Sequence, residues 1–272
     1  MERRGLRHWL LAGFFALFVA FLYGPTLTIV ILSFQGPDGG LTFPMRGVSL
    51  HWFANLFQPQ MVGDFAGSFR RSLVLALLVM GLTVLIALGA GLAFRRRFFG
   101  ATALFYLTIA SLIVPSVLIG LGIGLMFNVV GIAPNWWSSA LGAHLTWTLP
   151  FGVLIMFAVF NRFDRSLEEA ARDLGASPWQ GFRHVVLPLI APSLIGVALF
   201  GFSLSYDEFS RTIMAAGSDN TLPLEVFAMT TNVTTPVLYA LGSLTTAFSL
   251  GLVLVVVLVV LAMRRRRRAV VS

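Results

Sequence analysis

Apolar residues along this chain come in long blocks, and charge and turn residues gather between them. Six blocks reach the roughly 20 residues a helix needs to cross about 30 Å of hydrocarbon. They fall at about 9–34, 72–94, 101–130, 138–160, 189–215 and 238–263. The pattern predicts an all-α integral membrane protein: six transmembrane helices in one membrane domain, 1–272, with no soluble domain. Pro115 and Pro150 fall inside the third and fourth blocks. A proline there frees a backbone carbonyl, and either a packing kink or an unwound stretch beside a cavity accounts for it. Small residues at helix-packing spacing, Gly120 with Gly124 and Ala87 with Gly91, allow close approach of helices in lipid. The run Gly120–Gly124 is no nucleotide loop, because it lies within a span with no strand before it. The longest segment between blocks, about 35–69, opens with turn residues at 36–40. It then mixes aromatics with polar residues over 49–57, which predicts a short helix lying in the membrane interface. Trp136 and Trp137 are expected in an aromatic belt.

Charge supplies the orientation. All 19 basic residues are arginine, and 15 of them fall at the termini and in the alternate loops around 95–97 and 162–183. The positive-inside rule therefore predicts both termini and those two loops in the cytoplasm. Arg70 and Arg71 dissent, at a span end on the predicted outer side where headgroups are within reach. The net charge of +8 does not imply nucleic acid, because the excess sits in juxtamembrane clusters such as 264–268, where anionic lipid is the natural partner. With 57% hydrophobic and 11% charged residues and a mean hydropathy of +0.88, the chain is far less polar than a soluble domain. No cysteine is present, which excludes disulfides, thiol chemistry and Cys-ligated metals. The first block is too long for a signal-peptide core and lacks a small-residue cleavage site, so it is expected to be a retained span.

The polar island at 161–188 is the one long loop feature that embedding in lipid does not require. Leu167, Ala170, Ala171 and Leu174 recur at three- and four-residue spacing and form one narrow stripe on a short helix. Arg165, Glu168, Glu169, Arg172 and Asp173 occupy the rest of its surface. Gly175 suits the left-handed residue that ends a helix. Ser177-Pro178-Trp179-Gln180 restarts one, with Ser as N-cap, Pro at the first helical position and Gln at the capping-box position. Two readings fit this helix–turn–helix: an amphipathic interfacial helix, or a shallow docking knob for another protein.

The motif Glu169-Ala170-Ala171, three residues, Gly175, nine residues, Val185-Val186-Leu187-Pro188 resembles the EAA loop of ABC importer permeases. Val185 stands where isoleucine is common. The flanking stretches 143–151, 163–177, 205–209 and 221–223 are similar to the spermidine/putrescine branch, especially its shorter permease subunit. The resemblance covers about 70–260 and implies the type I ABC importer permease fold in a bacterial inner membrane. It further implies that Glu168, Glu169, Ala170, Ala171, Asp173, Leu174, Gly175, Leu187 and Pro188 dock a separate ATPase. The implied partners are two ATPase subunits, a second and paralogous permease, an external solute-binding protein and the lipid bilayer. A phosphate-cradling P-loop needs a lysine, which this chain does not contain, so ATP and Mg are expected on the ATPase and no cofactor or metal on this chain.

Charged groups within a span are functional candidates. Asp207 and Glu208, placed in the fifth block, are candidate ligands for a cationic amine, and Tyr206 a cation–π face. The alternative is that they cap the span end or pair with Arg211, one turn away. His144 and Ser116 complete the substrate-path candidates. The four histidines are scattered, with no carboxylate at metal-ligand spacing. Related polyamine permeases often carry an acid where Ser116 stands, and an acidic–amide pair where 235–239 reads Thr-Pro-Val-Leu-Tyr. An opine, an aminophosphonate or another small solute therefore stays open beside a polyamine. An intramembrane enzyme would have only Asp207, Glu208 and His144 to work with, at no recognisable catalytic spacing. A stand-alone secondary transporter would need an internal repeat or a coupling-ion site, and neither is visible.

Overall fold

The computed structural model describes residues 6–58, 63–96, 98–232 and 235–271. Arg97 lies outside them, as do the side chains of 264–268. Among the described residues the regular structure is helical, apart from an isolated antiparallel bridge between Gln35 and Val48. Five stretches are long and apolar enough to cross a membrane: Arg7–Leu32, Phe65–Phe94, Ser139–Asn161, Pro178–Tyr206 and Val237–Val255.

The predicted third span is broken into two helices. The block at 101–130 forms two helices, α4 (Ala101–Ala110) and α5 (Ser116–Val129), neither long enough alone. Pro115 lacks an N–H and takes an extended conformation, φ −54° and ψ 130°, as the residue before α5. The Ser111 hydroxyl sits 2.8 Å from the Thr108 carbonyl and 3.3 Å from that of Thr146, so polar groups at the break are met within the protein. Pro150, by contrast, lies within the continuous helix α6 (Ser139–Asn161).

The fifth span is corrected at its far end. The helix that carries it runs on from the loop, as expected: α8 (Pro178–Gly181) passes through a π-helical turn at Phe182–Val186 into α9 (Leu187–Tyr206). It stops at Tyr206, not at 215. Glu208 Oε1 accepts the Arg211 N–H at 2.8 Å and the Thr212 hydroxyl donates to the Glu208 carbonyl at 2.6 Å. These local bonds compete with the helical ladder and end it. Asp207 and Glu208 therefore lie just past the helix rather than inside it. The short helix α10 (Thr212–Ala215) follows.

The chain folds as two compact units, 1–65 with 226–272, and 66–225. In the first, α1 (Leu6–Leu32) lies beside α12 (Val237–Val271). The buried Gln35 amide organises the following turn, donating to the Gly40 carbonyl at 3.1 Å and accepting from the Arg46 N–H at 2.8 Å. The predicted interfacial helix is α2 (His51–Asn55), but Trp52 is buried rather than offered to headgroups.

The second unit holds α3 from Ala66 onward (the helix is Phe65–Phe94), then α4–α6, α7 (Ser166–Asp173), α8, α9 and α10, and the start of α11 (Leu222–Asn232). One core cluster joins Leu75 and Val79 to Ala140, Ala143, Ala215 and Leu224, and Trp136 packs on it. Of the predicted belt pair, Trp137 is exposed and Trp136 is not. A second cluster joins Ala87 to Met156, Phe160, Val186, Ile190 and Val197. The small residues sit at the close approaches. A Cβ on Gly91 would meet Met156 Cβ at 2.9 Å, and one on Gly120 would strike the Arg211 carbonyl oxygen. Arg71 Nε donates to the Asn220 carbonyl at 2.7 Å.

Candidate functional site

Two regions of the second unit carry the predicted site residues. The first is the loop 161–188. The Asp164 carboxylate accepts the Ser166 N–H at 2.9 Å and starts α7. That bond holds its carboxyl below the ordinary carboxylate range. Gly175, at φ +84°, ends the helix in a Schellman turn: its N–H reaches the Arg172 carbonyl at 2.8 Å, and the Ala176 N–H that of Ala171 at 3.0 Å. Ser177 and Gln180 close a capping box, with Pro178 at the first helical position. These local expectations are met in the structure.

The placement of α7 comes from an ion pair that sequence reading missed. Arg95, just past α3, donates Nη1 and Nη2 to the two Glu168 carboxylate oxygens, each at 2.8 Å. Its guanidinium lies over the rings of Phe160 and Phe163, 5.2 and 5.3 Å from their centroids. The two side chains are only 15% and 17% exposed. Hydrogen bonds from Arg95 hold the Glu168 carboxyl below its usual range. Arg165 Nη2 adds a bond to the Arg95 carbonyl at 2.9 Å. Glu168 thus faces inward as a strut. Glu169, Ala170, Asp173 and Leu174 remain exposed, Leu174 at 89%, while Ala171 and Leu187 are half-buried and Pro188 is exposed. Arg95 and Glu168 are 73 positions apart, which leaves no local sign of the pair.

The second region surrounds the end of α9. His144 is buried, with Nδ1 2.8 Å from Ser205 Oγ and Nε2 2.7 Å from Thr212 Oγ1. Thr212 spends its single hydroxyl proton on the Glu208 carbonyl, so Nε2–H is the donor and Nδ1 accepts from Ser205. His144 thus ties α6, α9 and α10 together, and both ring nitrogens are occupied. Glu208 turns to Arg211, Oε2 to Nη1 at 3.5 Å. Arg211 is fully buried, its guanidinium 4.6 Å from the Trp147 ring centroid. Tyr206 is buried, stacked on Phe202 at 5.7 Å and edge-on to Phe69 at 6.5 Å. Asp207 alone of this group is exposed. Ser116 is half-buried at the start of α5, one turn before Gly120. Among the described residues no cluster of three His, Asp or Glu side chains is placed to hold a metal.

The described residues thus hold several membrane-length helices and, ahead of the one that ends at Tyr206, an exposed helix–turn–helix. The profile of the family described as "Binding-protein-dependent transport system inner membrane component" matches residues 83–269, and the chain belongs to that family. It is 31% identical over 249 residues to the spermidine/putrescine transport system permease protein PotC of Haemophilus influenzae, covering 91% of this chain and 95% of the relative. It is 28% identical to PotC of Escherichia coli strain K12, covering 89% and 90%. It is 30% identical to the putrescine transport system permease protein PotI of the same strain, covering 86% and 83%. A bacterial ABC transporter involved in import of the acidic polysaccharide alginate has a chain of similar fold, with TM-score 0.69, 18% identity and coverage of 96% and 98%. The protein is a permease of a binding-protein-dependent ABC importer, an inner-membrane transport component rather than an enzyme.

Proposed function

We propose that this chain forms half of a solute pathway, pairs with a second, paralogous permease, and couples through the 161–188 loop to one of two separate ATPase subunits. The single domain 1–272 would carry both tasks, with both termini and the loop in the cytoplasm. The observation that supports this is the exposed edge of α7, Glu169, Ala170, Asp173 and Leu174, held rigid by the Arg95–Glu168 strut and the Gly175 turn. ATP and Mg act on the ATPase, whose closure draws the two loops together and opens the pathway to an external solute-binding protein. Gly175→Asp forces a side chain into a left-handed residue and adds charge at the contact. It is expected to abolish uptake while the protein stays in the membrane and the ATPase keeps hydrolysing; unimpaired uptake excludes the docking role.

The cargo favoured by the relatives' names is a polyamine, with Asp207 as the exposed carboxylate for one ammonium group. A second reading has its own support. Glu208 is committed to Arg211, and Ser116 offers no charge, which suits a solute with less positive charge than spermidine, such as an opine or an aminophosphonate. Competition by each class against labelled putrescine uptake separates them.

A further inference from the structure

Where α3 ends beside α7, two adjoining cavities of about 780 and 180 Å³ share Leu92, Arg95, Arg96, Glu168 and Arg172 in their walls. The larger also meets Arg165 and Glu169, so four arginines face two glutamates. Arg95 and Glu168 satisfy each other, and Arg165 is engaged with the Arg95 carbonyl. Arg96 and Arg172 are exposed and make no ion pair or hydrogen bond with their side chains among the described residues. Two free guanidinium forks thus converge on one cleft; Arg95 neutralises Glu168, and with Glu169 counted the four arginines still exceed the two carboxylates by two charges. A planar guanidinium is matched to phosphate oxygens, which it binds in pairs.

The remaining wall is apolar. Leu92 and Ala93 close the last turn of α3, a 30-residue span-length helix, and Phe98 follows, 40% exposed. The cleft therefore sits where a span leaves the hydrocarbon, basic on its loop side and apolar on its helix side. A soluble phosphate, or an acidic side chain from another protein, would use the basic side alone. We propose that the cleft holds the phosphate of an anionic phospholipid, with Arg96 and Arg172 on the headgroup and the acyl chains leaving past Leu92 and Phe98. The arginine bias of the loops assigns this site to the cytoplasmic leaflet. The lipid would brace the loop against the span, a task distinct from docking.

The test uses the full chain, purified in detergent without added lipid and titrated with phosphatidylglycerol, with bound lipid counted by native mass spectrometry. Arg96→Gln with Arg172→Gln is expected to weaken binding about 30-fold, the worth of two arginines near anionic lipid. Arg96→Lys with Arg172→Lys keeps the charge but loses the paired donors, and is expected to restore only part of the affinity. Arg7→Gln, on exposed α1, leaves it unchanged. Phosphatidylcholine, whose phosphate carries its own cation, binds at least about tenfold more weakly. Equal binding by wild type and the Gln variant, or by the two lipids, overturns the proposal. Displacement by millimolar inorganic phosphate assigns the cleft to a soluble anion, and displacement by the purified ATPase assigns it to protein docking; either also overturns it. Because the readout involves neither transport nor hydrolysis, a negative result leaves the importer reading standing.

Discussion

Glu168→Ala removes one half of the strut that positions α7. Opposite charges about 4 Å apart attract by about 4 kcal/mol at an effective dielectric near 20. Desolvation of two side chains that are 15% and 17% exposed offsets part of that. Charge-assisted hydrogen bonds of this kind leave a net of about 2 kcal/mol. The local opening of 166–176 should then become about 30-fold more frequent. Hydrogen exchange on the full-length protein reads this directly at the Leu174, Gly175 and Ala176 amides, which are bonded to carbonyls of α7. Arg95→Ala should cost somewhat more, because it also loses the Phe160 and Phe163 faces. The double-mutant cycle should return a coupling of about 1–2 kcal/mol. The pH dependence has a defined sign. The folded-state carboxyl lies below the ordinary value of 4.5, so the stabilisation is complete above about pH 4.5 and fades as pH falls through the lower folded value. Wild type and variant should therefore converge in acid. A change in exchange of less than twofold at pH 7, or a gap that widens below pH 4.5, refutes the strut.

Three further outcomes are expected in thermal unfolding of the detergent-solubilised chain. Gly120→Ala drives a methyl into the Arg211 backbone and should destabilise by about 1–3 kcal/mol, while Gly122→Ala, whose Cβ meets nothing within 4 Å, should be neutral or stabilising; equal effects would refute the packing. Glu208→Gln leaves the fully buried Arg211 without its counter-charge, at a cost of about 3 kcal/mol, and adding Arg211→Gln should recover part of it; an unchanged midpoint for the single variant would mean the pair contributes nothing. His144→Ala loses the bonds to Ser205 and Thr212 and leaves a cavity, for about 2–3 kcal/mol, and His144→Gln should lose less, which a comparison of midpoints decides.

The loop's caps were legible because each is set by neighbours a few residues away. Gly175 alone among local residues takes the left-handed turn at no steric cost, and Ser177 and Gln180 bond to each other across three residues. The break at Pro115 was not legible. Prolines 25, 150 and 192 sit inside continuous helices, and the same residue type at 115 stands in a break, just before a helix begins. A proline removes a donor in every case; whether the helix resumes is settled by what packs around it.

The partners of Arg95 and Arg211 show the same division. Their charge was visible as topogenic bias and as a one-turn neighbour of two carboxylates. Only the tertiary arrangement put Arg95 on Glu168 and Arg211 on Trp147, turned Glu208 inward and left Asp207 in the open. Apolar block length, arginine placement and the capping residues are short-range properties, so they specify a helical membrane chain, its expected orientation and the hinge of its loop. Contacts between residues 64 or 73 positions apart depend on how closely the helices approach, and that distance is set by Gly91, Gly120 and Gly152 at the crossings.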